Sequence, residues 1–143
     1  MKNTKTYLLA LSLTLTFALP LQSFAQEKYY DQKSEAWWNQ LEKQLSVSLE
    51  TPIDQVRDET LQHIVFFASN YTDKIDLGHL TPTLLGMYEN ERNEARRTMA
   101  VVALRAIGQK SSMNRLARLA QEQPPGSLRN ITMAVLADYR TSS

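Results

Sequence analysis

The sequence has no cysteine, only four glycines and only two histidines in 143 residues. The missing cysteine excludes a disulfide framework, thiolate metal sites and a thiol nucleophile, and with them a lipid-modified N-terminal cysteine. So few glycines leave little room for a phosphate-cradling loop or a series of tight β-turns, and neither Gly-x-Gly-x-x-Gly nor a Walker sequence occurs. The histidines, His63 and His79, lack the His-Glu-x-x-His spacing of a helical zinc site. No Gly-x-Ser-x-Gly or Ser-x-x-Lys marks a nucleophilic serine. Charge of one sign is missing too: 16 basic and 15 acidic side chains leave +1, not the strongly basic balance of a dedicated nucleic-acid binder. These absences point away from an enzyme, a metal or a cofactor, and toward a protein that acts through its surface.

What is present begins with Lys2 and Lys5, an apolar stretch from Tyr7 to Leu19, Pro20, and then Ser23-Phe24-Ala25. A basic start, a short apolar run and small residues at a cleavage point form the pattern of a secretory signal. A membrane span needs about 20 predominantly apolar residues, whereas this run is shorter and is interrupted by Ser12, Thr14 and Thr16. The sequence therefore predicts residues 1–25 as a cleaved signal, 26–33 as a lead and 34–143 as one helical domain. The product is expected to be soluble, in the periplasm of a bacterial envelope or secreted.

Beyond the signal the apolar spacing is helical throughout, with no run of strict alternation. Six helices are expected. Trp37, Trp38, Leu41, Leu45 and Leu49 share a stripe in the first, over residues 31–49. Thr51-Pro52-Ile53-Asp54 reads as the start of the second, with Thr51 as N-cap and Pro52 at the first position, running to Asn70. The third covers residues 77–90 and is bent or restarted at Pro82. The fourth runs from Asn93 to Ile107 and stops at Gly108. Ser111 or Ser112 caps the fifth, and Pro124-Pro125-Gly126-Ser127 separates it from the sixth, which reaches Tyr139.

The even helices superpose on an arginine, at Arg57, Arg97 and Arg129, spaced 40 and 32 residues apart. Four residues later stand Leu61, Val101 and Met133; seven later, Ile64, Leu104 and Leu136; ten later, Phe67, Ile107 and Tyr139. These columns predict one apolar face, and His63 shares a further column with Ala103 and Val135 that predicts a core or seam histidine. A single helical pair cannot bury such a face alone, so stacked pairs are required.

The stretch from Glu94 to Gly108, with its early arginine, Ala103-Leu104 and Ile107-Gly108, resembles the second helix of a HEAT repeat of the short bacterial PBS-lyase HEAT-like type. Leu80-Thr81-Pro82-Thr83-Leu84-Leu85 is similar to that family's proline-bent first helix. The resemblance implies an all-α fold, a short α-solenoid of about three antiparallel helix pairs. It also implies a non-enzymatic scaffold or protein-binding module. In that family an acidic residue six positions before the early arginine often builds a ladder of ion pairs. Here Glu91 stands before Arg97, but Thr51 and Gln123 occupy the matching places, so the ladder is expected to be largely absent.

Two surface features are candidate binding sites. Trp37 and Trp38 are adjacent, so one must turn to the flank of its helix. With Tyr29 and Tyr30 they read as a cap over the first repeat or as a partner anchor. The second feature is charge. Residues 26–91 carry 5 basic and 12 acidic side chains and residues 92–143 carry 9 and 3, a balance of −7 followed by +6. Arg97, Arg105 and Arg129 are expected to line a common inner surface for a protein partner, with Glu91 holding Arg97. Arg115 and Arg118 extend that basic half. Weak contact with an anionic membrane and head-to-tail self-association are alternative uses of this polarity. An acidic cluster at Glu89 and Glu91, serving a small hydrolase or lyase, is the competing enzymatic reading.

Overall fold

The computed structural model describes residues 29–142; the signal and its cleavage point lie outside the described residues. The chain divides into two compact units, the second beginning at Glu35. In the first, residues 29–31 are helical, the Lys33 N–H donates to the Tyr30 carbonyl at 3.0 Å, and the Lys33 ammonium lies 3.8 Å from the Tyr29 ring centre.

The second unit is all-α: α1 Glu35–Leu49, α2 Asp54–Asn70, a 3-10 turn Gly78–Leu80, α3 Thr81–Asn90, α4 Glu94–Ile107, α5 Lys110–Glu122 and α6 Ser127–Ser142. No described residue forms a strand, and no helix among them is long and apolar enough to cross a membrane.

Local chemistry sets the ends. The Asn93 side-chain oxygen accepts the Arg96 N–H at 3.1 Å, satisfying one orphan donor of α4. Gly108 closes the same helix at φ 69°, its N–H donating to the Leu104 carbonyl at 2.9 Å. Pro82 falls in the first turn of α3, where a missing N–H costs nothing, and the expected 77–90 helix is a 3-10 turn followed by an α-helix. Two predicted caps are corrected. Thr51 Oγ1 accepts the Ile53 N–H at 3.5 Å, a turn ahead of the helix, so α2 starts at Asp54 with Ile53 as its N-cap residue. Gln109, not Ser111 or Ser112, precedes α5, its carbonyl accepting the Met113 N–H at 3.0 Å.

Packing centres on α4, which contacts α2, α3, α5 and α6; α1 lies against α2, α5 against α6, and α3 against α5. Ala100, Val101, Ala103 and Leu104 of α4 are fully enclosed. Ile64, Leu104 and Leu136 are all buried, as their shared column predicts. The flanking columns behave differently at the two ends of the α2–α4–α6 row. Leu61 and Val101 are buried while Met133 is 43% exposed, because among the described residues no helix packs on that side of α6. Ala103 is buried and Val135 half-buried while His63 is exposed, which corrects the core reading of this histidine: α4 covers only one side of α2.

Candidate functional site

The strongest electrostatic feature sits between the first turns of α2 and α4. Arg96 is only 4% exposed and is enclosed by carboxylates. Its Nε donates to Asp58 Oδ1 at 2.6 Å and one terminal nitrogen to Asp58 Oδ2 at 3.2 Å, the two-pronged geometry for which a guanidinium is shaped. The other terminal nitrogen lies 3.3 Å from Asp54 and 3.3 Å from Glu91. Arg57 completes the cluster, reaching Glu91 at 2.8 Å and Asp54 at 2.5 Å.

Each acid in this cluster is held below the ordinary carboxylate range. The Arg57 hydrogen bond does so for Asp54, the Arg96 hydrogen bond for Asp58, and the Asn93 N–H, followed by the two arginine charges, for Glu91. Arg96 is raised in turn, chiefly by its hydrogen bond to Asp58. Three fixed anions and two fixed cations, one net negative charge, stitch the acidic half of the chain to the basic half. The i, i+4 spacing of Asp54 and Asp58 was the available sequence signal.

The expected Glu91–Arg97 pair does not form, and Glu91 pairs with arginines of α2 and α4 instead. Glu91 takes Arg57 and Arg96, whereas Arg97 donates through Nε to the Tyr88 carbonyl at 2.7 Å and through a terminal nitrogen to Gln123 Oε1 at 2.9 Å. Its guanidinium also lies 5.5 Å from the Tyr88 ring centre. Glu91 follows α3 as Gln123 follows α5, with φ, ψ of −68°, 135° and −69°, 139°. The arginine of one even helix therefore reaches the residue after the next odd helix, first as an ion pair and then as a neutral acceptor.

The three arginines expected to share a free surface are separated by these bonds. Arg105 is tied to Asp138 at 2.8 Å and Ser142 at 2.7 Å, fastening α4 to α6, and stacks 5.5 Å from the Tyr139 ring centre. Arg129 is half-buried and makes a 3.4 Å contact to the Gln123 carbonyl. Arg115 and Arg118, both on α5, are exposed.

Arg115 stands at the mouth of an open groove of about 460 Å³ between α3 and α5. Pro82, Leu85 and Gly86 form its apolar side, and a Cβ added to Gly86 would meet no atom within 4 Å. At one end Thr81 Oγ1 and Ser112 Oγ lie 2.8 and 2.9 Å from Gln109 Oε1. Across the mouth Arg115 and Glu89 are 3.7 Å apart, a loose pair beyond hydrogen-bond length. Of the suspected acidic cluster only Glu89 lines this groove; Glu91 is engaged by Arg57 and Arg96.

The adjacent tryptophans divide as their spacing requires. Trp38 is buried against Phe67 and Tyr71, with ring centres 5.9 and 5.2 Å away, and Trp37 is half-buried on the flank, 6.5 Å from Phe67. Among the described residues no group of three His, Asp or Glu side chains is placed to hold a metal ion. Comparison with family models, with curated proteins and with solved structures finds no match.

Proposed function

We propose that the protein is an exported, non-catalytic interaction module. It is a short α-solenoid of three HEAT-like helical pairs that docks an acidic segment of a partner protein on its basic C-terminal half. The solenoid reading is supported by the contacts of α1 with α2, α3 with α4 and α5 with α6, and by the α2–α4–α6 row. The observation that carries the binding reading is Arg115, 56% exposed and only loosely paired, beside an open groove with an apolar side. An arginine in that state offers its planar fork to a carboxylate without first breaking a strong internal bond. Arg118, one turn away on α5, extends the same cationic face.

The revised surface is thus Arg115 and Arg118, with Arg97 and Arg105 acting as internal ties and Arg129 half-buried with a 3.4 Å contact to the Gln123 carbonyl. Recognition is favoured over acid–base chemistry because the clustered carboxylates are fixed as anions by arginine, whereas a general acid needs a pKa near the working pH. The test is cross-linking and co-purification from envelope extract, with the captured protein identified and re-tested as a pure component. The double reversal Arg115→Glu, Arg118→Glu is expected to abolish capture at unchanged helical signal and melting temperature. Capture that survives the reversal but disappears with Trp37→Ala at unchanged stability overturns this surface in favour of the N-terminal aromatic cluster.

A further inference from the structure

The fold gives no reason for a glycine at position 86. It lies inside α3, four residues before the last, where glycine is unfavourable because it gives up the most backbone freedom on folding. The usual demands for glycine do not operate there. Gly108 alone has a positive φ, so Gly86 has an ordinary backbone. No neighbour crowds it, since an added Cβ would meet no atom within 4 Å. The Asn90 side chain donates to the Gly86 carbonyl at 3.1 Å, a bond that any residue at this position could accept. What an added side chain would change is the groove between α3 and α5, which Gly86 lines.

That groove has three zones. Pro82, Leu85, Gly86 and Glu89 recur at three- and four-residue spacing and share one face of α3, as Ser112 and Arg115 do on α5. At the end where the two helices begin, the hydroxyls of Thr81 and Ser112 are already engaged by Gln109 Oε1. At the other end Glu89 and Arg115 stand 3.7 Å apart. Between them the wall is apolar, and the missing side chain at Gly86 deepens it. Arg115 can take one carboxylate, while Glu89 repels a second beside it.

We propose that Gly86 is the specificity-determining residue of the groove. Its bare backbone seats one aliphatic side chain of the partner's segment, of leucine, isoleucine or methionine size, while Arg115 takes a single carboxylate of the same segment. This rests on the acidic-segment reading of the groove and adds the apolar half of the recognised pair. Gly86 and Glu89 are three residues apart on α3, about 4.5 Å along its axis. The two ligand side chains must therefore be neighbours on one face, two residues apart in an extended segment or three to four in a helical one. A plain run of acids does not satisfy the groove.

Selection from a library of displayed random peptides on the protein, in the form the expressing cell produces from the full chain, tests this. Enriched sequences are expected to pair one Asp or Glu with one Leu, Ile or Met at those separations. With a labelled synthetic copy of the enriched peptide, Gly86→Leu is expected to weaken binding by about tenfold or more. Its helical signal should be unchanged and its melting temperature not lowered, because the new side chain occupies open space in a helix. Alanine in place of the aliphatic residue of the peptide should cost about as much against the unaltered protein and little against Gly86→Leu. If Gly86→Leu disturbs the fold, Gly86→Ala takes its place, with a smaller loss of the same kind. Enrichment of acidic runs alone, or of nothing, overturns the proposal. Binding that survives Gly86→Leu but is lost on Arg115→Glu overturns the aliphatic seat and leaves the cationic mouth standing. Binding that survives Arg115→Glu but is lost on Gly86→Leu overturns the acidic-segment reading and leaves the seat.

Discussion

Leu104→Ala is the most direct probe of the helical row. Leu104 is fully buried in α4, the helix that contacts α2, α3, α5 and α6. Removing three carbons forfeits about 2.4 kcal/mol of transfer free energy, at about 0.8 kcal/mol for each CH₂. The surroundings resist collapse because Arg96, Arg97 and Arg105 fasten α4 to its neighbours. A residual void of about 50 Å³ would add about 1.2 kcal/mol. The expected loss of about 3.5 kcal/mol is a large share of the roughly 5–15 kcal/mol that stabilises a domain. In urea it should lower the midpoint by about 1.5–2 M for a slope of about 2 kcal/mol/M, and in a thermal scan it should lower Tm by about 15–25 °C. Met133→Ala is the control: its column is buried in α2 and α4 but open in α6, so the cost should stay within about 0.5 kcal/mol. A Leu104→Ala loss below about 1 kcal/mol, or equal losses at the two sites, would refute the burial argument.

Asp58 and Glu91 have folded-state pKa values below their unfolded ones, so their contribution is complete above the unfolded carboxylate range and is lost as pH falls through it toward the folded values. Urea midpoints should therefore be flat from neutrality to mildly acidic pH and then drop, and Arg96→Met should lower the neutral plateau and flatten the acid limb; an unchanged acid limb would refute the cluster's role. Gly108→Ala should cost about 1–2 kcal/mol in a thermal melt although an added Cβ has room, because φ is +69°; a neutral result would place the helix stop elsewhere. Gln123→Glu should give Arg97 an anionic acceptor at an existing 2.9 Å contact and raise stability by about 0.5–1 kcal/mol, an increment that added salt reduces. If that gain is absent, the rung is not an electrostatic site.

The helices were legible because their end signals are local. Asn93 and Gly108 each act within one turn of α4, and Pro82 can occupy only the first turn of α3, so neighbouring residues suffice to read them. Thr51 misled because a short hydroxyl before a helix can also bond a donor two residues on, and here it bonds Ile53. The periodic columns were legible for the same reason as the caps, since 3.6-residue spacing alone decides which side chains share a face. His63 and Met133 were misread because periodicity states which side a residue faces but not whether a neighbour stands there. Each belongs to a column that is buried in the middle helix and open at one end of the row.

The ion pairs were illegible for a deeper reason. Glu91 is six residues before Arg97 and thirty-four after Arg57, and sequence spacing favours the nearer arginine. The backbone decides otherwise. Glu91 leaves α3 in an extended conformation and its Oε2 meets Arg57 of the preceding even helix, while Oε1 accepts the Asn93 N–H at 3.2 Å and lies 3.3 Å from Arg96. Arg97 faces the other way and takes Gln123, which leaves α5 in the same conformation. Both contacts therefore join an even helix to the residue after the next odd helix, and the spacing within one helical pair pointed to the wrong partner.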